Sequence, residues 1–407
     1  MDARLQRKLD FLDWELGVFF HFGIRTYYEG HVDWDLKPMA ADAYNPTELN
    51  CDQWLDVISR AGAKYAILVC KHHDGFANWP SKYTDYSVAN TPWKDGKGDV
   101  VREFTDACRK YGVKVGLYYS PAQFGSSEQN STDYDDYFIN QISELLTNYG
   151  KIDYLWFDGC GSEDHEYDTD RIIKAIRGMQ PEILIFNMWD PDTRWIGNEV
   201  GIASMTDGPE TSSLDFSVQT ERQDSLAETV FLPAECDCKI RKSWFYFDSD
   251  KDTLKSLDEL WGMYLNSVGH GANLLLNIAP DRRGLIMDDD AARFNELGDK
   301  IRSEFANPLI TFDKFKQEGD SFTADFPALK LMKYIVIEED LTSGSSAVTD
   351  FDIEIAPFEF GANKTVFRGC KIGHKVICPM PYLTARCVTV KITGKTKDYK
   401  IKNITVY

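Results

Sequence analysis

From Leu16 to about residue 302, short apolar runs alternate with longer segments whose apolar positions recur at helical spacing, the pattern of a parallel α/β protein. The strand candidates are Leu16–His21, Lys64–Cys70, Val113–Tyr119, Ile152–Asp158, Glu182–Asn187, Thr229–Pro233 and Asn273–Ile278. Between them the spacing predicts helices over Cys51–Ala61, Asp99–Tyr111, Tyr134–Tyr149 and Asp170–Met179. Three of these run into a glycine, at Gly62, Gly112 and Gly150, and a strand candidate follows each time. The repeat predicts a closed (β/α)8-like, TIM-type barrel, of whose eight strands the pattern picks out seven. An open doubly wound sheet is the alternative, but no glycine-rich phosphate loop follows the first strand.

After Arg302 helical periodicity stops. Alternating runs at Lys333–Glu338, Phe351–Ala356, Lys375–Cys378, Cys387–Thr393 and Lys402–Tyr407, separated by polar turns, predict a small C-terminal all-β sandwich. Asn307-Pro308 reads as the link, which divides the chain into a barrel over 1–306 and a sandwich over 307–407. A chain of 407 residues exceeds what one core usually holds, in keeping with two domains.

The net charge of −20 argues against a nucleic-acid or anionic-membrane partner, because phosphate binding needs dense Lys and Arg. Nine scattered cysteines form no C-x-x-C pair, and several lie in apolar runs, so reduced thiols are expected. Residues 1–14 carry mixed charge and no apolar signal core, which gives a cytoplasmic expectation, with a periplasmic or secreted protein that has lost its leader as the alternative. Aromatic residues make up 13% of the chain, and flat rings suit both a large core and the C–H face of a sugar.

Candidate chemistry collects at strand ends. The run Ile152–Asp158 stops at Gly159, and side-chain alternation sets Tyr154, Trp156 and Asp158 on one face, with the carboxylate at the carboxyl end. His21 closes the first strand candidate, and His72 and His73 close the second. A barrel brings these ends to one mouth. The same His-Asp set could ligate a metal, but adjacent His72 and His73 would project oppositely from a regular strand, and no H-x-H or H-E-x-x-H spacing occurs. Neutral donors and rings around a carboxylate suit a polyol instead, without a cofactor. Cleaving a glycosidic bond needs two carboxyls. Asp158 is one. For the second, Glu199, in a polar and aromatic loop, and Glu235, at the end of an apolar run, are equally placed by pattern, whereas Glu210 reads as a solvated turn.

These segments resemble the α-L-fucosidases of glycoside hydrolase family 29. The resemblance is carried by Lys71-His72-His73-Asp74-Gly75-Phe76, Trp79-Pro80-Ser81-Lys82-Tyr83, Asn90-Thr91-Pro92-Trp93-Lys94-Asp95-Gly96, Gly116-Leu117-Tyr118-Tyr119-Ser120, Trp156-Phe157-Asp158-Gly159 and Gly271-Ala272-Asn273-Leu274-Leu275-Leu276-Asn277. It implies a retaining hydrolase of fucosylated oligosaccharides or glycoconjugates, with Asp158 as nucleophile and His21, His72, His73, Tyr118 and Trp156 as sugar contacts. Asp33 and Trp34 stand where the family has a Glu-Trp pair. Arg194-Trp195-Ile196-Gly197-Asn198-Glu199, Pro233–Asp237 and Ser243-Trp244-Phe245-Tyr246 are similar to a subgroup that prefers α-1,3 and α-1,4 linkages. That likeness implies Glu199 as acid/base, counts Arg194 and Trp244 among the substrate contacts, and suggests poor cleavage of aryl fucosides. Asp207-Gly208-Pro209 departs from the subgroup, which more usually has a Trp there. A broader α-L-fucosidase/α-L-galactosidase and an inactive fucose-binding homologue are the alternatives. The acid should hold its proton through apolar burial, with Trp195 the expected cover.

Overall fold

The computed structural model describes residues 2–32, 35–123, 133–162, 165–218, 223–356 and 363–407. In chain order the first part holds α1 (Ala3–Leu12), β1 (Leu16–Phe20), α2 (Cys51–Ala61), β2 (Tyr65–Lys71), α3 (Val100–Tyr111), β3 (Lys114–Tyr119), α4 (Tyr134–Asn148), β4 (Tyr154–Phe157), α5 (Thr169–Met179), β5 (Leu184–Phe186) and β6 (Arg194–Trp195). It continues with β7 (Glu210–Asp215), β8 (Gln223–Phe231), β9 (Ala234–Lys239), α6 (Leu257–Ser267), β10 (Asn273–Asn277) and α7 (Asp288–Glu304). Local chemistry marks the helix ends. The Asn50 and Asp99 side chains accept from the backbone N–H of Gln53 and Arg102 to start α2 and α3, and Gly62 and Gly112 stop them in the left-handed conformation.

Eight strands form one parallel sheet in the order β5-β4-β3-β2-β1-β10-β9-β6. A single bridge between Phe186 and Thr193 joins its two edges, so the barrel is nearly closed. Alternation sorts the side chains: Phe19, Ile67, Val69, Tyr118, Tyr154, Trp156 and Leu275 fill the interior, while Val18, Phe20, Leu68, Leu117, Leu155 and Phe157 join the core under the helices.

Two strand expectations need correction. Thr229–Pro233 is no barrel strand: Thr229, Val230 and Phe231 end β8, which pairs only with β7 in an antiparallel hairpin, and the barrel strand begins at Ala234. Pro233 lacks the N–H a strand interior must donate, and the half-buried apolar residues before it pack outside the barrel. The strand absent from the pattern is β6, whose two residues are too few to carry a period.

The C-terminal part comprises β11 (Lys316–Glu318), β12 (Ser321–Leu331), β13 (Tyr334–Glu339), β14 (Val348–Ala356), β15 (Lys364–Gly369), β16 (Val376–Pro379), β17 (Thr384–Lys395) and β18 (Ile401–Val406). A five-stranded antiparallel sheet, β11-β12-β17-β14-β15, faces a three-stranded one, β16-β13-β18. Ile335 and Ile337 of the smaller sheet share a core with Phe351, Val388 and Val390 of the larger. Tyr334 and Val336, alternating to the other face, pack with Trp261 and Tyr264 of α6. Lys375 pairs with Glu15 and approaches Gly271, just ahead of β1 and β10, so the sandwich docks near the amino ends of those strands.

Barrel closure rests on a buried carboxylate. Asp192, between β5 and β6 with a side chain 1% exposed, accepts from Arg177 Nη2 at 2.8 Å, Arg4 Nε at 2.6 Å and the Ile185 N–H at 3.0 Å. Asp192→Ala removes the buried acceptor shared by Arg4, Arg177 and the Ile185 N–H, while Asp190 stays paired with both guanidinium groups, and it is expected to lower unfolding free energy by about 2 kcal/mol. Urea melts check this, and a loss below about 1 kcal/mol would show that the closure does not depend on the carboxylate.

Candidate active site

At the carboxyl end of the barrel lies a pocket with about 660 Å³ of open space, its mouth included. That is the position expected for a small-ligand site on this architecture. Asp158 follows β4 and lines it. Its Oδ2 accepts from Tyr118 Oη at 2.8 Å and lies 3.4 Å from His73 Nε2, and its Oδ1 accepts from the Cys160 N–H at 2.9 Å. Burial works against the charged form, but the charge and hydrogen bond of His73, with the Cys160 N–H, outweigh it and hold the carboxyl at about 2. Ser120 Oγ donates to the Ala122 carbonyl at 2.7 Å, so His73 Nδ1, 2.5 Å from that oxygen, is the donor there. A ring already donating through Nδ1 attracts a carboxylate at Nε2 only when Nε2 also carries a proton. The His73–Asp158 contact is therefore an ion pair.

His21 is fixed in the opposite sense. Asn277 Oδ1 takes the His21 Nδ1–H at 2.8 Å, which leaves Nε2 as an acceptor, and Asn277 Nδ2 donates to the Trp244 carbonyl at 2.7 Å. Burial and the neighbouring His72 push the His21 imidazole well below its usual range, so the ring is neutral. His72 stacks on Tyr118 with ring centroids 5.6 Å apart. The chain leaves regular strand geometry at the end of β2, with a register shift between Val69 and Lys71, and so His72 and His73 reach the same pocket. This is the departure from a regular strand that bringing both side chains to one pocket requires. His72, His73 and Asp158 offer atoms within 4.8 Å of one another, a set that could hold a metal. In the arrangement seen, His73 and Asp158 instead bind each other, Ser120, Tyr118 and Cys160.

Trp156 forms part of the pocket lining, stacked on Phe186 at 4.1 Å. Its indole N–H points away from the pocket, to Glu235 Oε1 at 2.8 Å. Glu235 is the second residue of β9, at the amino end and not the carboxyl end expected for it. It is 0% exposed, lines no part of the pocket, and also accepts from Tyr65 Oη at 2.6 Å and Tyr154 Oη at 3.3 Å. Burial raises its carboxyl to about 7 despite those three donors.

Glu199, in the loop after β6, does line the pocket. Its Oε2 pairs with Lys239 Nζ at 2.8 Å and accepts from Trp244 Nε1 at 3.2 Å, with the side chain 30% exposed. In place of the expected apolar burial Glu199 thus meets a cation and an indole N–H, and the Trp195 indole N–H goes to Asp237 Oδ1 at 2.7 Å. Arg194 is not a pocket residue either, because alternation along β6 turns Trp195 inward and Arg194 outward, where it donates to the Gly208 carbonyl at 3.0 Å. Trp244 lines the pocket beside His21. Asp33 and Trp34 lie outside the described residues. Glu210 begins β7 and accepts from Ser346 of the sandwich, so it is no solvated turn.

Sequence reasoning missed Asp237, Asn187 and Phe216. Asp237 follows from the alternation Glu235, Asp237, Lys239, legible once the strand is begun at Ala234. Asn187, with φ of 59°, accepts from the Trp195 N–H at 3.0 Å and donates to the Asp215 carbonyl at 2.6 Å, tying β5, β6 and the hairpin together. Phe216, beyond β7, reaches over the pocket because Gly159 is bare: a Cβ there would come within 2.6 Å of the Phe216 carbonyl oxygen. No sequence signal marked that approach.

A family model described as α-L-fucosidase matches residues 3–304. Alpha-L-fucosidase 1 of Arabidopsis thaliana is 36% identical over 313 residues, 73% of this chain and 60% of that protein. The matched part of an α-L-fucosidase from Branchiostoma floridae, 27% identical, is likewise 59% of its length, so these relatives extend well beyond what is matched. Among solved structures, a glycoside hydrolase 29 family member from an unknown rumen bacterium superposes with a TM-score of 0.88 at 32% identity, over 99% of this chain and 76% of that one.

The raised Glu235 carboxyl gives a stability prediction. The native state holds this proton up to about 7, whereas the usual glutamate value is 4.5, so wild-type stability should fall across that interval as pH rises. Glu235→Gln removes the titration, and its stability relative to wild type should rise between about pH 5 and about pH 7 in urea melts. A constant difference would show that Glu235 is charged in the fold.

Proposed function

The chain belongs to the α-L-fucosidase family, and on that premise we propose that it is a retaining exo-α-L-fucosidase acting on fucosylated oligosaccharides or glycoconjugates. The observation that carries this reading is the charged Asp158, held by His73, Tyr118 and the Cys160 N–H in a pocket that Glu199 also lines. Ionised Asp158 attacks the anomeric carbon and forms a fucosyl ester, while Glu199 protonates the departing oxygen. Water, deprotonated by Glu199, then cleaves the ester and releases fucose with its configuration retained. In the first step Glu199 bears the proton, so its contact with Lys239 must loosen as the aglycone enters.

Neutral His21 offers its Nε2 lone pair to a sugar hydroxyl, His72 and Tyr118 add polar groups, and the Trp156 ring offers a flat face. A preference for α-1,3 and α-1,4 linkages over aryl fucosides is part of the proposal, supported by the Glu199 and Trp244 runs. An L-galactoside, which adds one hydroxyl to the fucose methyl, would be discriminated against only modestly. A cytoplasmic location also belongs to the proposal, in keeping with nine free cysteines.

Fucose release from a branched α-1,3/4-fucosylated trisaccharide and from an aryl α-L-fucoside, measured side by side, tests this reading. Wild type is expected to cleave the trisaccharide much faster. Asp158→Asn should lower kcat by about 10⁴-fold without loss of fold, and Glu199→Gln should abolish trisaccharide cleavage, whereas Glu235→Gln keeps it. An active Glu199→Gln would move the acid elsewhere, and a wild type that binds fucose without cleaving it would mark an inactive homologue. Proton NMR of the first-formed sugar should show the α-anomer, and the β-anomer would refute retention. Activity should also survive EDTA, since no step above uses the His72, His73 and Asp158 set as metal ligands.

A further inference from the structure

Strand β9 turns alternate side chains into the barrel: Glu235 beneath the pocket, Asp237 in its lining, and Lys239 beyond. Lys239 is taken up by Glu199 at 2.8 Å, and Glu235 by Tyr65, Tyr154 and Trp156. Asp237 differs from both. It is 5% exposed, its Oδ1 accepts the Trp195 indole N–H at 2.7 Å, and among the described residues it has no salt bridge. Oδ2 has no hydrogen-bond partner among the described residues, yet it is not among the sealed, unsatisfied atoms; as a pocket-lining group it meets the cavity.

A carboxyl buried without a cation and surrounded by Glu199, Glu235 and Asp158 is disfavoured as an anion, both by desolvation and by like charge. Those same influences push its value well above the usual carboxylate range, against the single opposing Trp195 hydrogen bond. A protonated carboxyl is a donor as well as an acceptor. We propose that Asp237 is an uncharged hydrogen-bond donor to the bound sugar, with Oδ1 fixed by Trp195 and the Oδ2–H directed at a ring hydroxyl. It complements His21, whose free ring nitrogen accepts. Asp237 is not the catalytic acid: it projects from within β9, whereas in an exo-acting site the glycosidic oxygen faces the mouth, where the Glu199 loop lies. Its role is to recognise the sugar.

This inference rests on the fucosidase reading of the pocket, and the test therefore measures binding, with turnover left aside. Dissociation constants for L-fucose and its 2-, 3- and 4-deoxy analogues are measured by calorimetry with wild type, Asp237→Asn and Asp237→Ala. Asparagine presents an uncharged donor and can still accept from Trp195, so fucose binding should stay within about threefold of wild type. Alanine should weaken it by about tenfold or more. One deoxy analogue should bind wild type about tenfold more weakly than fucose does and lose that difference in Asp237→Ala, the non-additivity of a shared contact. If asparagine weakens binding as much as alanine does, the carboxylate is needed charged, and the proposal is overturned. Equal analogue penalties in wild type and Asp237→Ala overturn it too, leaving only support of Trp195. Should the alanine variant not fold, Asp237→Asn must keep both the affinity and the analogue ranking of wild type, and losing either is decisive. Failure of wild type itself to bind fucose would bring down the parent reading, whereas failures confined to the variants bring down this one alone.

Discussion

A carboxylate that must stay charged inside an aromatic pocket organises this molecule. Asp158 sits among Trp156, Phe157, Phe186 and Phe216, a setting that by itself favours the protonated acid. Three separate elements reverse that preference: Tyr118 from β3, the His73–Ser120 pair spanning the ends of β2 and β3, and the turn after β4 that aims the Cys160 N–H. Each is effective only at its present distance, so the register of β2, β3 and β4 is a condition for the charge of Asp158 as well as for the core. Parallel strands bring these groups together because their carboxyl ends open at one rim, where the chain leaves regular hydrogen bonding and side chains can turn inward.

The treatment of the other acids contrasts with this. Glu235 is surrounded by tyrosine and indole donors and, among the described residues, pairs with no cation, and it serves as the acceptor that fixes the indole of Trp156. Glu199, nearer solvent, is matched by Lys239, with Trp244 touching both: its indole N–H meets the carboxylate, and its ring lies 4.5 Å from the ammonium. Carboxyls along one barrel thus have different environments set by depth and by donor type. Such divergence is what acid, base and nucleophile roles require of chemically similar groups.

The sandwich contributes no residue to the pocket among those described. It contacts the barrel through Tyr334 against Trp261 and Lys375 against Glu15, and it meets the start of β7 through Ser346 against Glu210. The hairpin of β7 and β8 is a different matter. Inserted between two barrel strands, it carries Phe216 to the pocket and is held at the turn end of β7 by Asn187, which makes it the structural link between barrel closure and the shape of the mouth.

The sequence by itself determined the repeated β-α units, the two-domain division of texture, and the convergence of His21, His72, His73 and Asp158. Those features are written locally, in periodicity, in helix-ending glycines and in side chains at strand ends. Only the tertiary structure decided which acids face the pocket. The two-residue β6 has no period to read, and the apolar residues 229–231 resemble a barrel strand while belonging to a hairpin. Starting that strand at Ala234 puts Glu235 at its amino end under the Trp156 indole and Asp237 in the lining. Likewise, whether Arg194 or Trp195 entered the barrel depended on how β6 pairs with β9. Facing is a property of register, and register is set by neighbouring strands distant in sequence, because a shift of one residue turns every side chain to the other face.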